Sequence, residues 1–264
     1  MTFFTAKRRI VLLGATLGLL LLAALPTIAL AAPKQADETK CGTDVACVKK
    51  FGDDAIAKRL TSLDGLATKI NGLVSKGHLT STQASPLLDQ INTNKSGLSA
   101  LKTKLDGETD ITAARADVKN IYLQFRIYAV FLPRTRHVVE MDIMTNVDAK
   151  LKAAEPKIED AIAKAPADKK DQLNTLYADF KAQLKEAEAQ IDAGQGQLPV
   201  LTPNTFNADR ATYDKAFSAL QADTKAAHDA LEKARNDLHQ IAMILGVASN
   251  KGTPAPKSTA TPSA

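Results

Sequence analysis

The chain has no tryptophan, only two cysteines and twelve aromatic residues, four Tyr and eight Phe. It also lacks any segment in which apolar and polar residues alternate with the two-residue period of a half-buried strand. Sheet architectures are left without support. Motifs that carry chemistry are missing too: there is no H-E-x-x-H, no G-x-S-x-G and no phosphate-cradling glycine loop. The four histidines are His78, His137, His228 and His239. His137 shares a helical face with Glu140, and His228 with Glu232. The Glu-x-x-His order used by di-iron bundles occurs nowhere. No nucleophile stands beside a base, and Asp and Glu pair with Lys at helical spacing, which reads as a solvated face. These absences argue against an enzyme and imply neither a metal nor a cofactor.

A lasting excess of one charge is missing as well. The formal charge is +5, from 34 Lys+Arg against 29 Asp+Glu. Three of those cations, Lys7, Arg8 and Arg9, precede an apolar run from Ile10 to Leu25, Pro26 and the small-x-small sequence Ala29-Leu30-Ala31. That order is the signature of a secretory leader over 1–31. Its removal leaves 31 cations against 29 anions, too balanced for a nucleic-acid partner. An exported chain reaches an oxidising compartment, where Cys41 and Cys47, bracketing "GTDVA", are expected to form a disulfide. Closing so short a loop stabilises by about 2 kcal/mol in the chain-entropy treatment. The other end, "SNKGTPAPKSTATPSA" (249–264), has no apolar periodicity and is expected to stay disordered.

What is present is helical periodicity. Apolar residues step by three and four from Asp53 to Leu245. Ile56, Leu60, Leu63, Ala67, Ile70 and Val74 form one seam, closed by Gly77. Thr80 and Gln83 form a capping box for the next helix, with Ser85 before Pro86 as a second candidate start. That seam runs through Leu87, Ile91, Asn94, Leu98, Leu101 and Leu105, where Asn94 is a polar residue that can fix register. After "DGETD", a third seam runs from Ile111 through Ile121, Phe125, Tyr128 and Leu132, and resumes past Pro133 to Ala165. It predicts one long helix kinked at Pro133, the Ala129 carbonyl losing its partner. Pro156 threatens the same helix again. A fourth seam runs from Leu173 to Ile191. "DAGQGQLPVLTPN" reads as the longest internal loop. A last seam from Phe206 to Leu245 keeps the alternation for eleven steps.

The expected fold is therefore all-α: an elongated antiparallel helical bundle or coiled coil, in which two spectrin-like three-helix units share the long kinked helix. The expected organisation is a leader over 1–31, a disulfide-bearing segment over 32–52, and a bundle over 53–248 with sub-units of about 53–132 and 134–248. The tail follows.

"IYLQFRIYAVFL" (Ile121 to Leu132) holds four of the twelve aromatics, and only Gln124 and Arg126 in it are polar. A helix apolar all round is buried all round or lies in lipid. Twelve residues with an arginine among them are too few to span a bilayer, so packing on several faces is expected. Arg126, Arg134, Arg136 and His137, with Tyr122 and Tyr128, form the candidate ligand or partner site, suited to an anionic or aromatic group. A buried Arg126 would otherwise need a carboxylate.

"DVKNIYLQFRIYAVFLPRTRHVV" (Asp117 to Val139) resembles a segment of Ala- and Lys-rich exported helical proteins of bacteria. The likeness extends weakly from Asp53 to Leu245 and includes "LTPNTFNADR". It implies an exported helical protein and no activity. "LTSTQ" at Leu79 to Gln83 is similar to the L-T-x-x-Q element of small periplasmic helical chaperones, though the same letters make a capping box. The expected role is a non-catalytic structural or interaction protein, secreted or held at the cell envelope, that spaces or tethers protein or envelope partners. An extracytoplasmic binding module, chaperone-like or a small-ligand sensor using Arg126 to His137, is the alternative. Heptad seams serve one molecule or several copies alike, so a homo-oligomer stays open.

Overall fold

A computed structural model describes residues 38–246. The expected leader and tail lie outside the described residues, and no described helix is long and apolar enough to cross a membrane. Eight α-helices follow in order: α1 Val45–Ser75, α2 Ser81–Gly107, α3 Ile111–Leu123, α4 Leu132–Lys152, α5 Glu155–Ala163, α6 Ala167–Gln197, α7 Pro203–Ala208 and α8 Arg210–Ile244. Short 3₁₀ turns occupy Glu38–Cys41 and Leu198–Val200, and a π-helical turn occupies Ile127–Phe131. There is no strand among the described residues.

The helix ends follow the local chemistry of the sequence. Asp44 caps α1 by accepting from the Ala46 and Cys47 amides at 2.9 and 3.1 Å. The Cys41–Cys47 disulfide is formed across this same turn. It joins the 3₁₀ turn to α1, which begins eight residues before the expected start of the bundle at residue 53 because the cap is supplied within the disulfide loop. At the other end of α1, Gly77 adopts φ +68°. There the His78 amide reaches the Leu73 carbonyl and the Gly77 amide the Val74 carbonyl, both at 2.9 Å, a Schellman ending that needs the left-handed residue. The Thr80–Gln83 capping box opens α2. Ser85 is not a second start, and Pro86 lies inside the helix.

The long third helix is bent, but not where the proline alone would place the bend. The chain leaves helical geometry at Gln124–Arg126, passes through the π turn, and enters α4 with Pro133 in its first turn. The Ala129 carbonyl, four residues before Pro133, accepts the Tyr213 hydroxyl at 3.3 Å. A second interruption at Ala153–Ala154 lets Pro156 sit in the first turn of α5, where it has no amide to lose. The predicted loop from Asp192 is a correction: α6 continues to Gln197. Gly194 stays helical because α4 and α8 press against it, so that a β-carbon there would meet Met141 Sδ at 2.8 Å. The last seam is also broken once, at Asp209, which caps α8 through the Thr212 amide at 3.0 Å. Asn94 is half-buried and donates to the Gln90 carbonyl of its own helix, so it does not set register between helices.

Helices α1 and α2 pack on α3 and on the first turns of α4, around Ile56, Leu63, Ile70, Leu87, Ile91 and Leu98. Helices α6 and α8 form an antiparallel pair on α4 and α5, around Leu173, Phe180, Leu184, Leu220 and Leu231. A small third core of Val48, Leu105, Ala114 and Val118 lies beneath the disulfide turn. The two large cores are not split at residue 133. Val139 of α4 belongs to the first and Met141, Met144 and Leu151 to the second. The α1–α2 turn overlaps the second unit: Asn146 of α4 donates to the His78 carbonyl and to Gln83 Oε1, both at 2.9 Å.

Close helix approach is most acute at Gly52, where a β-carbon would collide with Leu105 and meet Val118 Cγ2 at 3.0 Å. Gly65, on the same helix, has open space around it. Gly65→Ala should therefore raise stability by about 0.5–1 kcal/mol, and Gly52→Ala should lower it, overpacking costing about 1–3 kcal/mol. Urea melts of the two variants check the sign of each.

Candidate functional site

The break between α3 and α4 organises the candidate residues. Arg126 stands at its centre with φ +44° and ψ +38°, the one non-glycine residue with positive φ among those described. A bulky residue there costs about 1–2 kcal/mol, so contacts from outside the segment must hold it. Two sets do.

From α7, Asn207 Oδ1 accepts from Arg126 Nε and Nη2 at 2.8 and 2.6 Å. Asn207 Nδ2 donates to the Leu123 carbonyl at 2.8 Å, satisfying a group freed by the end of α3. The Arg126 guanidinium also lies 4.6 Å from the centre of the Phe206 ring. From α1, Arg59 lies over Tyr122 at 4.5 Å and Tyr128 at 5.2 Å, one ring on each side of the break. Its Nη1 donates to the Ala55 carbonyl at 2.8 Å, and the Tyr128 hydroxyl donates to the Lys58 carbonyl at 3.1 Å. Arg59 is only 6% exposed and forms no ion pair among the described residues. Burial pushes its pKa down, while Tyr122 and Tyr128 oppose that shift. The tyrosine faces thus stand where a carboxylate would usually be.

The expected site residues divide into three groups. Tyr122 and Tyr128 belong to the Arg59 clamp. Arg126 and His137 lie at the two ends of a ladder of rings, and Arg134 is near enough to its Tyr213 for the two to interact electrostatically. Phe206 meets Tyr213 edge-on at 4.8 Å, Tyr213 stacks with Phe217 at 6.0 Å, and Phe217 meets His137 at 5.6 Å. Arg210 joins the top of this ladder, 4.0 Å from the Phe206 centre, while its Nε pairs with Asp214 at 2.7 Å. Arg134 is half-buried, with its pKa lowered by burial, and its two hydrogen bonds are long: 3.4 Å to the Leu198 carbonyl and 3.4 Å to Gln90 Oε1. Arg136 stands apart, its Nε donating to Glu140 Oε1 at 2.8 Å, with His137 Nδ1 3.2 Å from Oε2. The carboxylate expected for a buried Arg126 is absent among the described residues; an amide and a ring take its place.

Sequence reasoning missed Arg59, Phe206, Asn207 and Arg210. Arg59 sits three residues after Ile56 and four before Leu63, on the buried side of α1, and that spacing was a readable signal. Phe206, Asn207 and Arg210 lie in "LTPNTFNADR", but nothing local ties that segment to a residue eighty positions earlier. Among the described residues, no three His, Cys, Asp or Glu side chains converge as metal ligands would. No protein-family model, curated protein or solved structure matches the chain.

Two carboxylates of α4 titrate in opposite directions. Burial pushes Asp142 from 3.8 up to about 6. For Glu140 burial acts upward too, but His137 and Arg136 together outweigh it and hold the carboxyl below its ordinary value. The folded protein binds the Asp142 proton more tightly than the unfolded chain, so this group's contribution to stability falls as pH rises from about 4 to about 6. Asp142→Asn should stabilise at pH 7 by about 1 kcal/mol, after discounting for solvent screening of a half-exposed group, and the gain should vanish near pH 4. Glu140→Gln should destabilise at pH 7, because the stability from a depressed carboxyl is present above its unfolded pKa. Denaturant melts across this pH range compare the two.

Proposed function

We propose that the protein is a non-catalytic helical spacer or tether of the cell envelope, exported by its leader and holding partners at its two ends. The observation that supports this reading is the placement of the two ends of the described residues. The start of α1 is fixed against the end of α2 and the start of α3, with Lys49 Nζ on the Asp106 carbonyl at 2.7 Å and Arg115 Nη2 on the Gly42 carbonyl at 2.5 Å. The end of α8 is fixed against the start of α6, with Lys169 Nζ on the Ile244 carbonyl at 3.0 Å. Between these points run α3, α4 and α5 in sequence, α1 and α8 parallel to them and α2 and α6 antiparallel. The described residues thus begin at one pole of the bundle and end at the other. With α8 alone 35 residues long, or about 50 Å at 1.5 Å per residue, such a body separates whatever is held at its two poles.

The resemblance to exported Ala- and Lys-rich helical proteins fits this role, and the formed disulfide fits an oxidising compartment. The L-T-x-x-Q likeness adds nothing to it, since Gln83 is occupied by the cap and by Asn146.

Solution scattering with mass determination should give a radius of gyration well above the about 18 Å of a compact domain of this length, at one or two copies. Cross-linking on intact cells should recover envelope components. A compact particle, or a full set of cross-links to cytoplasmic proteins alone, would remove the spacer reading.

A further inference from the structure

Helix α7 holds the break with few contacts. None of its residues is fully buried. Among the described residues, its ring and polar contacts to the break come from two neighbouring side chains: Phe206 beneath the Arg126 guanidinium, and Asn207 between Arg126 and Leu123. The backbone group that Asn207 takes is one that a helix would need. In an uninterrupted helix the Leu123 carbonyl accepts the amide four residues on, that of Ile127; here Asn207 Nδ2 donates to it at 2.8 Å. Past the break, the Arg126 carbonyl is shared. The Val130 amide, four residues on, donates to it at 2.8 Å, and the Phe131 amide, five residues on, at 3.2 Å. The π turn is thus already half in α register. The apolar steps Ile121, Phe125, Tyr128 and Leu132 keep helical spacing straight through the break, and no glycine or proline lies between Ile111 and Leu132. Continuation fails at Arg126, held at φ +44° although an arginine prefers the right-handed region.

We propose that α7 is a releasable strap. Docked, it keeps α3 and α4 as two helices. Lifted, it lets Leu123 bond to Ile127, Arg126 turn right-handed and the break anneal into helix. Three gains favour annealing once Asn207 leaves. The strain at Arg126 is relieved, the Leu123 carbonyl keeps a partner, and the guanidinium returns to water from a place where burial and the neighbouring Arg210 both disfavour its charge. Against them stand the bonds of Asn207 and the burial of Ile127, Val130 and Phe131 in the docked arrangement, so the break prevails while α7 is down. Two packings that exchange a similar set of bonds make a bistable element, and a short helix with little burial is where local opening starts. The device does not depend on what the two poles of the bundle hold.

Hydrogen exchange of the full chain, read by mass spectrometry on peptides covering 203–209 and 120–131, tests it in the wild type, in Asn207→Ala and in Asn207→Ala combined with Arg126→Gly. Asn207 is exposed, so its replacement should leave exchange in α6 and the middle of α8 unchanged. In Asn207→Ala, α7 should exchange about tenfold or more faster, the loss expected for hydrogen bonds to a charged group, while 120–131 exchanges more slowly than in the wild type. Loss of a merely structural contact would speed both segments. Adding Arg126→Gly should return 120–131 to fast exchange, because glycine takes the left-handed conformation without strain and disfavours helix. If 120–131 is not slowed in Asn207→Ala, or stays slow after Arg126→Gly, the strap is overturned. Should Asn207→Ala disturb α6 and α8, the wild type in a urea series decides: α7 must open at urea concentrations that leave α6 and α8 protected, and exchange of α7 only with global unfolding overturns the proposal.

Discussion

One helix has to be buried on two sides. Helix α4 gives Val139 to the core built by α1 and α2, and Met141, Met144 and Leu151 to the core built by α6 and α8. A helix packed by one neighbour needs one apolar stripe; a helix packed by two helix pairs needs apolar residues around most of its circumference. The preceding segment shows the consequence most strongly, with Ile127, Phe131 and Leu132 in the first core and Val130 in the second. The π turn adds one residue per turn there and rotates successive side chains out of the stripe a regular helix would keep, so adjacent residues can serve different cores.

That rotation leaves backbone groups unpaired, and the rest of the junction answers them. Asn207 supplies the Leu123 carbonyl, and Tyr213 supplies that of Ala129. The left-handed Arg126 is held from α7, and Arg59 grips the tyrosines on either side from α1. The break is thereby tied to both helix pairs. Neither pair alone fixes it, and a strained conformation survives only where its surroundings over-determine it. The polar link between Gln83 and Asn146 works the same way farther along α4, since the glutamine that closes a capping box also docks the α1–α2 turn.

The seams were readable because burial leaves a three-four spacing whichever partner does the burying. Ile56, Leu63, Ile70, Ile91, Leu98, Leu105, Leu173, Phe180, Leu184, Leu220 and Leu231 were placed by that rule and are all buried. The caps were readable where the chemistry is local, as at Gly77, Thr80 and Gln83. The break was not. Its position depends on Asn207 and Arg59, far off in sequence, and Pro133, seven residues past Arg126, gave the stronger local signal. "DAGQGQLPVLTPN" failed for the opposite reason. Two glycines looked like a loop, but Gly194 is there so that α6 can touch Met141. Of the candidate site, the cationic members could be named from sequence, but their grouping could not, because the aromatic ladder joining Arg126 to His137 is supplied by α7 and α8.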